Sequence, residues 1–139
     1  KLRVDFNGCL SREDFEGFCQ AVPPRVRRVL DLIEDPVPYD AELWKLFRTQ
    51  HDVRLALDKG WQSATGGFDA VVIKPARRDW RVVTERFGSS PLVLTSAMDH
   101  ALGQMFAAYE AALALREMPG RFSWCGLATQ HLFERDSFF

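Results

Sequence analysis

The sequence predicts an α/β protein on an all-parallel sheet, and three observations carry that prediction. Short apolar runs rich in Val, Ile and Leu recur along the chain: LRV, LDLI, VRLAL, AVVI and LVL. Stretches long enough for a helix separate nearly all of them. The runs are almost continuously apolar rather than alternating, as strands buried on both faces are.

Each element has a local reason. Leu2–Asn7 reads as the first strand. Ser11, with Asp14 three residues on, caps a helix over Arg12–Val22, which Pro23 and Pro24 end; Arg25–Val29 adds one more turn. Leu30–Ile33 is the second strand, closed by Glu34-Asp35-Pro36. Asp40 caps a helix to Gln50 with Leu43, Leu46 and Phe47 on one face. Val53–Leu57 is the third strand. Gly60, Gly66 and Gly67 leave little or no helix before the fourth strand, Ala70–Ile73, whose β-branched residues make it the most strand-prone run. A helix over Asp79–Phe87 leads to a fifth strand, Pro91–Ser96. Asp99 opens the longest helix, to Glu117, with Leu102, Met105, Phe106, Tyr109, Ala112 and Leu113 expected as its buried stripe. After Pro119-Gly120, Phe122–Leu127 is expected as a sixth strand.

Two architectures satisfy this repeat: a doubly wound sheet, or part of a (β/α)8 barrel. Four ionisable residues decide between them. Asp5 follows LRV, Glu34 follows LDLI, Asp58 follows VRLAL and Lys74 follows AVVI. A parallel sheet brings all four to its carboxyl edge, and a barrel gathers the ends of many strands into one site. Full barrels need roughly 200 residues or more, whereas this chain has 139. The expectation is therefore a partial (β/α)7β TIM-like barrel with a parallel sheet. Residues 1–139 would form its C-terminal part, with the first two βα units and any N-terminal domain lying elsewhere.

Composition sets further bounds. The hydrophobic content of 47% is enough for a buried core, and the formal net charge is −1. Neither nucleic acid nor an anionic membrane would be drawn to such a surface. Cys9, Cys19 and Cys125 have no CxxC spacing and read as free thiols in a reducing cytoplasm. No run approaches the ~20 apolar residues of a membrane span. His51, His100 and His131 lack ligand spacing, and Trp44, Trp61, Trp80 and Trp124 read as packing between helices and sheet. No GxGxxG, Walker A or GxSxG motif is present. Three carboxylates beside one ammonium suit a hard divalent cation held by oxygen ligands.

The runs LRVDFNG, LIEDP, LALD, VVIKP and LTSAMDHALGQ, in this order and at βα spacing, resemble the enolase superfamily. Within it they are most similar to the muconate-lactonizing group, and there to the o-succinylbenzoate synthase family. The resemblance covers essentially the whole chain, as strands three to eight of that barrel. It implies Asp5, Glu34 and Asp58 as Mg²⁺ ligands and Lys74 as the strand-six catalytic lysine. It places substrate contacts near Asn7, Ser96 and Gly126; Asn7, two residues past Asp5 on an extended chain, would share its face. The implied reaction removes a proton α to a carboxylate and eliminates water, giving o-succinylbenzoate for menaquinone synthesis. The family's strand-two KxK lysines would lie upstream of Lys1, and Lys59 stands where relatives often carry Glu. Alternation along the strand is expected to turn Lys59 away from the metal.

Other chemistries use the same scaffold, including racemases or epimerases of N-acylamino acids and acid-sugar or muconate enzymes. A non-catalytic barrel fragment is the other alternative. The DxD that dipeptide epimerases carry on strand eight is absent from Cys125-Gly126-Leu127-Ala128. The expected partners are a small-molecule carboxylate, the rest of the barrel, and in a homo-oligomer a second copy.

Overall fold

In the computed structural model, residues 1–98, 100–123 and 125–127 are described. The order is β1 (Leu2–Asp5), α1 (Arg12–Ala21), α2 (Pro24–Arg27), β2 (Leu30–Glu34), α3 (Ala41–His51), β3 (Leu55–Leu57), β4 (Ala70–Ile73), α4 (Trp80–Phe87), β5 (Leu92–Leu94) and α5 (Ala101–Glu117). The paired strands are parallel, and strand order follows chain order from β1 to β5. A doubly wound sheet would reverse that order at a switch point. This one never does, so the partial barrel is the architecture found. Two compact units, Lys1–Val71 and Val72–Phe139, make up the chain, with β4 running across the boundary.

In the first unit Ser11 caps α1 as expected, its hydroxyl accepting from the Asp14 N–H at 3.1 Å. Asp40 caps α3 through the Leu43 N–H at 2.8 Å. The helices meet through Phe15 and Phe47, whose rings lie edge to face with centroids 4.7 Å apart. Both are fully buried, as are Ile33, Trp44, Leu55 and Leu57. Trp44 thus does the packing expected of it, while Leu43 and Leu46 stay half-buried at the edge of that face.

An ion-pair network ties the amino ends of the strands. In the β1–β2 register Leu2 faces Leu30 but Arg3 faces Leu32, so Asp31 is an extra residue with no opposite number. Its carboxylate accepts from Arg3 Nε at 3.0 Å and pairs with Arg54 at 3.3 Å and Lys1 at 3.5 Å. Burial pushes the Asp31 pKa up, but the hydrogen bond and charge of Arg3, with Lys1, pull harder and leave it below the usual carboxylate value. A folded-state pKa below the unfolded one stabilises the fold above about pH 4, and that contribution disappears as pH falls through the folded value. Asp31→Asn should therefore lower stability by roughly 1–3 kcal/mol at pH 7, the partners being partly exposed. Denaturant titration should show the gap between the two proteins closing below about pH 4.

Beside this network Arg48 pairs with Asp69, whose other oxygen accepts the Leu55 N–H at 2.9 Å. Gly67 has φ +82°, and a Cβ there would lie 2.5 Å from the Ala41 carbonyl oxygen at the start of α3. Both backbone conformation and space demand glycine. Gly67→Ala should cost roughly 2–4 kcal/mol, read as a lowered denaturation midpoint with unchanged slope.

In the second unit Asp79 caps α4 by accepting the Arg81 N–H at 2.9 Å. Trp80 is buried, and its Nε1 donates to Glu110 of α5 at 2.9 Å. Arg81 lies over the Trp80 ring at 4.2 Å and pairs with Glu117 at 3.0 Å. On the other edge of β4, the Thr95 N–H donates to the Ile73 carbonyl at 2.9 Å.

Two expectations fail here. The sixth strand is reduced, among the described residues, to two isolated parallel bridges, Leu92 with Phe122 and Thr95 with Gly126. Trp124 lies outside the described residues, as do Asp99 and His131. The buried stripe of α5 is also different: Gln104, Ala107, Ala111 and Ala114 are buried. Leu102, Met105, Phe106 and Tyr109 are 66%, 68%, 45% and 61% exposed. Ala112 is exposed and Leu113 half-buried. The helix is apolar on both sides, and the alanine side lets it approach its neighbours more closely than bulky side chains would.

Candidate metal centre

Strand register builds the site. Asp5 ends β1 and stands opposite Glu34, the last residue of β2. Glu34 in turn faces Ala56 of β3, and Asp58 lies two residues beyond Ala56. Asp5 and Glu34, paired across adjoining strands, belong to one face at one edge. Carboxylate oxygens of Glu34, Asp35 and Asp58 lie within 4.8 Å of one another, with Asp35 and Asp58 buried and Glu34 half-buried. The Asp5 carboxylate is not in this trio. Its Oδ1 accepts the Asn7 N–H at 2.8 Å within its own turn.

Asp35 has a second role. Its Oδ1 accepts the Asp58 N–H at 3.1 Å and its Oδ2 the Lys59 N–H at 3.0 Å. One carboxylate from the end of β2 therefore holds the backbone that presents Asp58. Burial raises the Asp35 pKa to about 6; the two N–H bonds oppose that rise, while the charges of Asp58 and Asp5 add to it. At φ +39° the backbone of Asp35 turns sharply out of the strand, which aims its side chain across at β3.

A cleft of about 390 Å³ adjoins the trio, lined by Asn7, Gly8, Asp35, Tyr39, Lys59 and Gly60 among others. Lys59 does not turn away. The chain leaves its strand at Asp58 and enters a turn, so alternation no longer applies, and Lys59 Nζ donates to the Asn7 carbonyl at 2.6 Å. Asn7 is likewise not on an extended chain: with φ +56° it occupies a left-handed turn, stabilised by its bond to Asp5. The Tyr39 hydroxyl organises the far wall, donating to the Gly66 carbonyl at 2.8 Å and accepting from the Thr65 N–H at 3.1 Å.

No protein-family model matches the chain. It is 33% identical over 147 residues to the o-succinylbenzoate synthase of Bdellovibrio bacteriovorus, an alignment spanning 99% of this chain and 44% of that protein. The mandelate racemase/muconate lactonizing protein from Herpetosiphon aurantiacus matches with a TM-score of 0.72 at 20% identity, over 97% of this chain and 41% of its own. The muconate lactonizing enzyme from Pseudomonas putida gives 0.70 at 18%, over 96% and 40%. The chain shares the fold of the matching part of these two structures. It spans less than half the length of these relatives.

Within that fold the remaining expected residues fall in the second unit, each next to a strand end. Lys74 follows β4, and its carbonyl accepts the N–H groups of Arg77 and Arg78 at 2.8 and 3.1 Å. Ser96, buried, lies two residues past β5, and its N–H donates to the Gly126 carbonyl at 3.2 Å. The Gly126 N–H is taken by Leu94 at 3.1 Å, and a Cβ at Gly126 would come within 3.1 Å of Thr95 Oγ1. Glycine here permits close strand approach.

Sequence reasoning missed Asp35, treating it as part of a closing turn. The signal was present: a carboxylate beside Glu34 and before Pro36 has no apolar reason to sit at a buried strand end. Of the thiols, Cys19 is buried, which raises its pKa to about 11, with Arg27 opposing and Glu16 adding to the shift, so its reactive thiolate is scarce. Cys9 is exposed. No helix among the described residues is long and apolar enough to cross a membrane.

Proposed function

We propose that the complete protein is a Mg²⁺-dependent carbon–oxygen lyase, an o-succinylbenzoate synthase acting in cytoplasmic menaquinone biosynthesis. One observation carries this reading. Carboxylates from the ends of adjoining parallel strands converge within 4.8 Å, in a chain one-third identical to a protein of that name. The donors fit the ion. Mg²⁺ takes oxygen ligands at about 2.1 Å, so donors across it stand roughly 4.2 Å apart. Asp5, Glu34 and Asp58 are the proposed ligands, Asp5 swinging from its bond to Asn7 across one strand spacing. Asp35 holds Asp58 in place.

Bound Mg²⁺ would act as a Lewis acid toward the substrate carboxylate. The protein's own groups do the rest. Lys74 would supply an ammonium that stabilises the negative charge developing as the α-proton leaves; the family resemblance assigns the proton itself to a strand-two lysine outside residues 1–139. Ser96, Gly126 and Asn7 border the substrate, and the 390 Å³ cleft beside Asp35 is of a size for a small acid.

On this reading residues 1–139 are barrel strands three to eight. The open edge of β1 supports it, with an apolar groove of about 240 Å³ between Leu2, Val4, Phe18, Val22, Val26 and Leu30. That groove suits a preceding strand and helix.

The test is direct. Full-length protein with Mg²⁺ should convert a hydroxylated cyclohexadiene carboxylate to o-succinylbenzoate, and chelation should stop it. Racemisation of an N-acylamino acid without formation of o-succinylbenzoate rejects the lyase in favour of the racemase.

A further inference from the structure

Sheet order keeps the ends of β1 and β3 apart. β2 lies between them, and two strand spacings put them about 10 Å from each other, beyond any backbone hydrogen bond. One side chain nevertheless joins them. The Lys59 ammonium, just past β3, donates to the Asn7 carbonyl in the turn after β1 at 2.6 Å. That bond closes a ring. The Lys59 N–H donates to Asp35 Oδ2 at 3.0 Å, and the Asp35 carbonyl accepts the Gly8 N–H at 2.6 Å. The Gly8 N–H and the Asn7 carbonyl belong to one trans peptide group, so they point in opposite directions. Asp35 therefore holds that group from one side and Lys59 from the other. The Cys9 thiol shares the Asn7 carbonyl at 3.7 Å, but as a far weaker donor.

We propose that Lys59 is a positioning residue for the metal centre: by clasping the Asn7–Gly8 turn to the end of β3, it keeps the Asp5 carboxylate one strand spacing from Glu34. This rests on the reading of Asp5, Glu34 and Asp58 as Mg²⁺ ligands. Asp5 needs such help. Its carboxylate is exposed, whereas Asp58 is buried and Glu34 half-buried, so packing does little to fix it. The turn fixes it instead, through the bond from the Asn7 N–H at 2.8 Å. That turn puts Asn7 at φ +56°, a left-handed conformation that residues other than glycine adopt infrequently. The clasp helps hold it there. Lys59 acts on the ion in two opposed ways. As a clasp it limits the positions Asp5 samples beforehand, so less freedom is lost on binding and affinity rises. As a cation near the site it repels Mg²⁺ and lowers affinity. Lys59 is exposed, so solvent screens the repulsion and the clasp prevails.

Calorimetry and amide hydrogen exchange on the full-length protein test this. Lys59→Met keeps most of the stem but not the donor, and should raise the Mg²⁺ dissociation constant about 10-fold, as loss of a supporting partner does. Lys59→Arg restores a charged donor and should bring it back to within about 3-fold of wild type. Without metal, the segment 6–9 should exchange at least about 5-fold faster in Lys59→Met, an effect that loss of a merely solvated charge would not produce. Circular dichroism should be unchanged, since Lys59 is exposed. Unchanged exchange in segment 6–9, or unchanged Mg²⁺ affinity in Lys59→Met, overturns the proposal. Tighter Mg²⁺ binding in Lys59→Met also overturns it, by showing that Lys59 acts as a repelling charge alone. Glu34→Gln keeps the two readings apart. If it weakens Mg²⁺ and Lys59→Met does not, the clasp alone is wrong; if neither does, the metal centre falls with it.

Discussion

Full-length protein carrying Lys74→Ala is expected to lose at least about 1,000-fold in kcat, the range over which positioned proton-handling and charge-stabilising groups act. Mg²⁺ affinity, read by calorimetry, should stay within a few-fold of wild type, because an ammonium is no metal ligand. The two readouts together separate the roles. Turnover lost with metal binding intact assigns Lys74 to the reaction; turnover unchanged removes it from the mechanism. Lys74→Arg sharpens the point. If the lysine acts by charge alone, a guanidinium placed nearby should recover part of the rate, whereas a proton-transfer role should not be rescued, since arginine stays protonated.

The second large effect separates a ligand from the residue that positions it. Glu34→Gln removes an anionic donor and should weaken Mg²⁺ at least about 100-fold, while Asp35→Asn should weaken it about 10-fold, as loss of a supporting bond does. Metal-free stability should move the other way. Glu34→Gln relieves repulsion among three close carboxylates and should leave the melting temperature in EDTA unchanged or raised. Asp35→Asn replaces one oxygen facing the Asp58 and Lys59 N–H groups with a donor, leaving a buried N–H unmatched at a cost of about 1–3 kcal/mol. Asp35→Asn weakening Mg²⁺ more than Glu34→Gln would make Asp35 a ligand in place of Asp5. Equal Mg²⁺ affinity in wild type and Glu34→Gln would remove the metal centre altogether.

The sequence was informative where local chemistry decides conformation. Caps at Ser11 and Asp40 and breaks at Pro23-Pro24 and Pro119-Gly120 locate the helices to within a residue or two. β4 matches its apolar run residue for residue. The strand-end positions of Asp5, Glu34, Asp58 and Lys74 follow from the same runs. What failed depended on neighbours distant in the chain. The face that α5 buries is set by which side its neighbours can approach, and periodicity cannot choose between two apolar sides. Asn7 and Lys59 were placed by strand alternation, but both sit in turns where that rule lapses.

Sequence alone determined the βα order, the parallel sheet and which ionisable groups stand at strand ends, because capping, chain breaking and apolar runs act within a few residues. Tertiary structure alone decided that Asp35 grips the backbone of Asp58, that Asp31 binds three cations, and that α5 turns its bulky side outward. Each of those depends on distances between residues far apart in the chain, which no local pattern encodes.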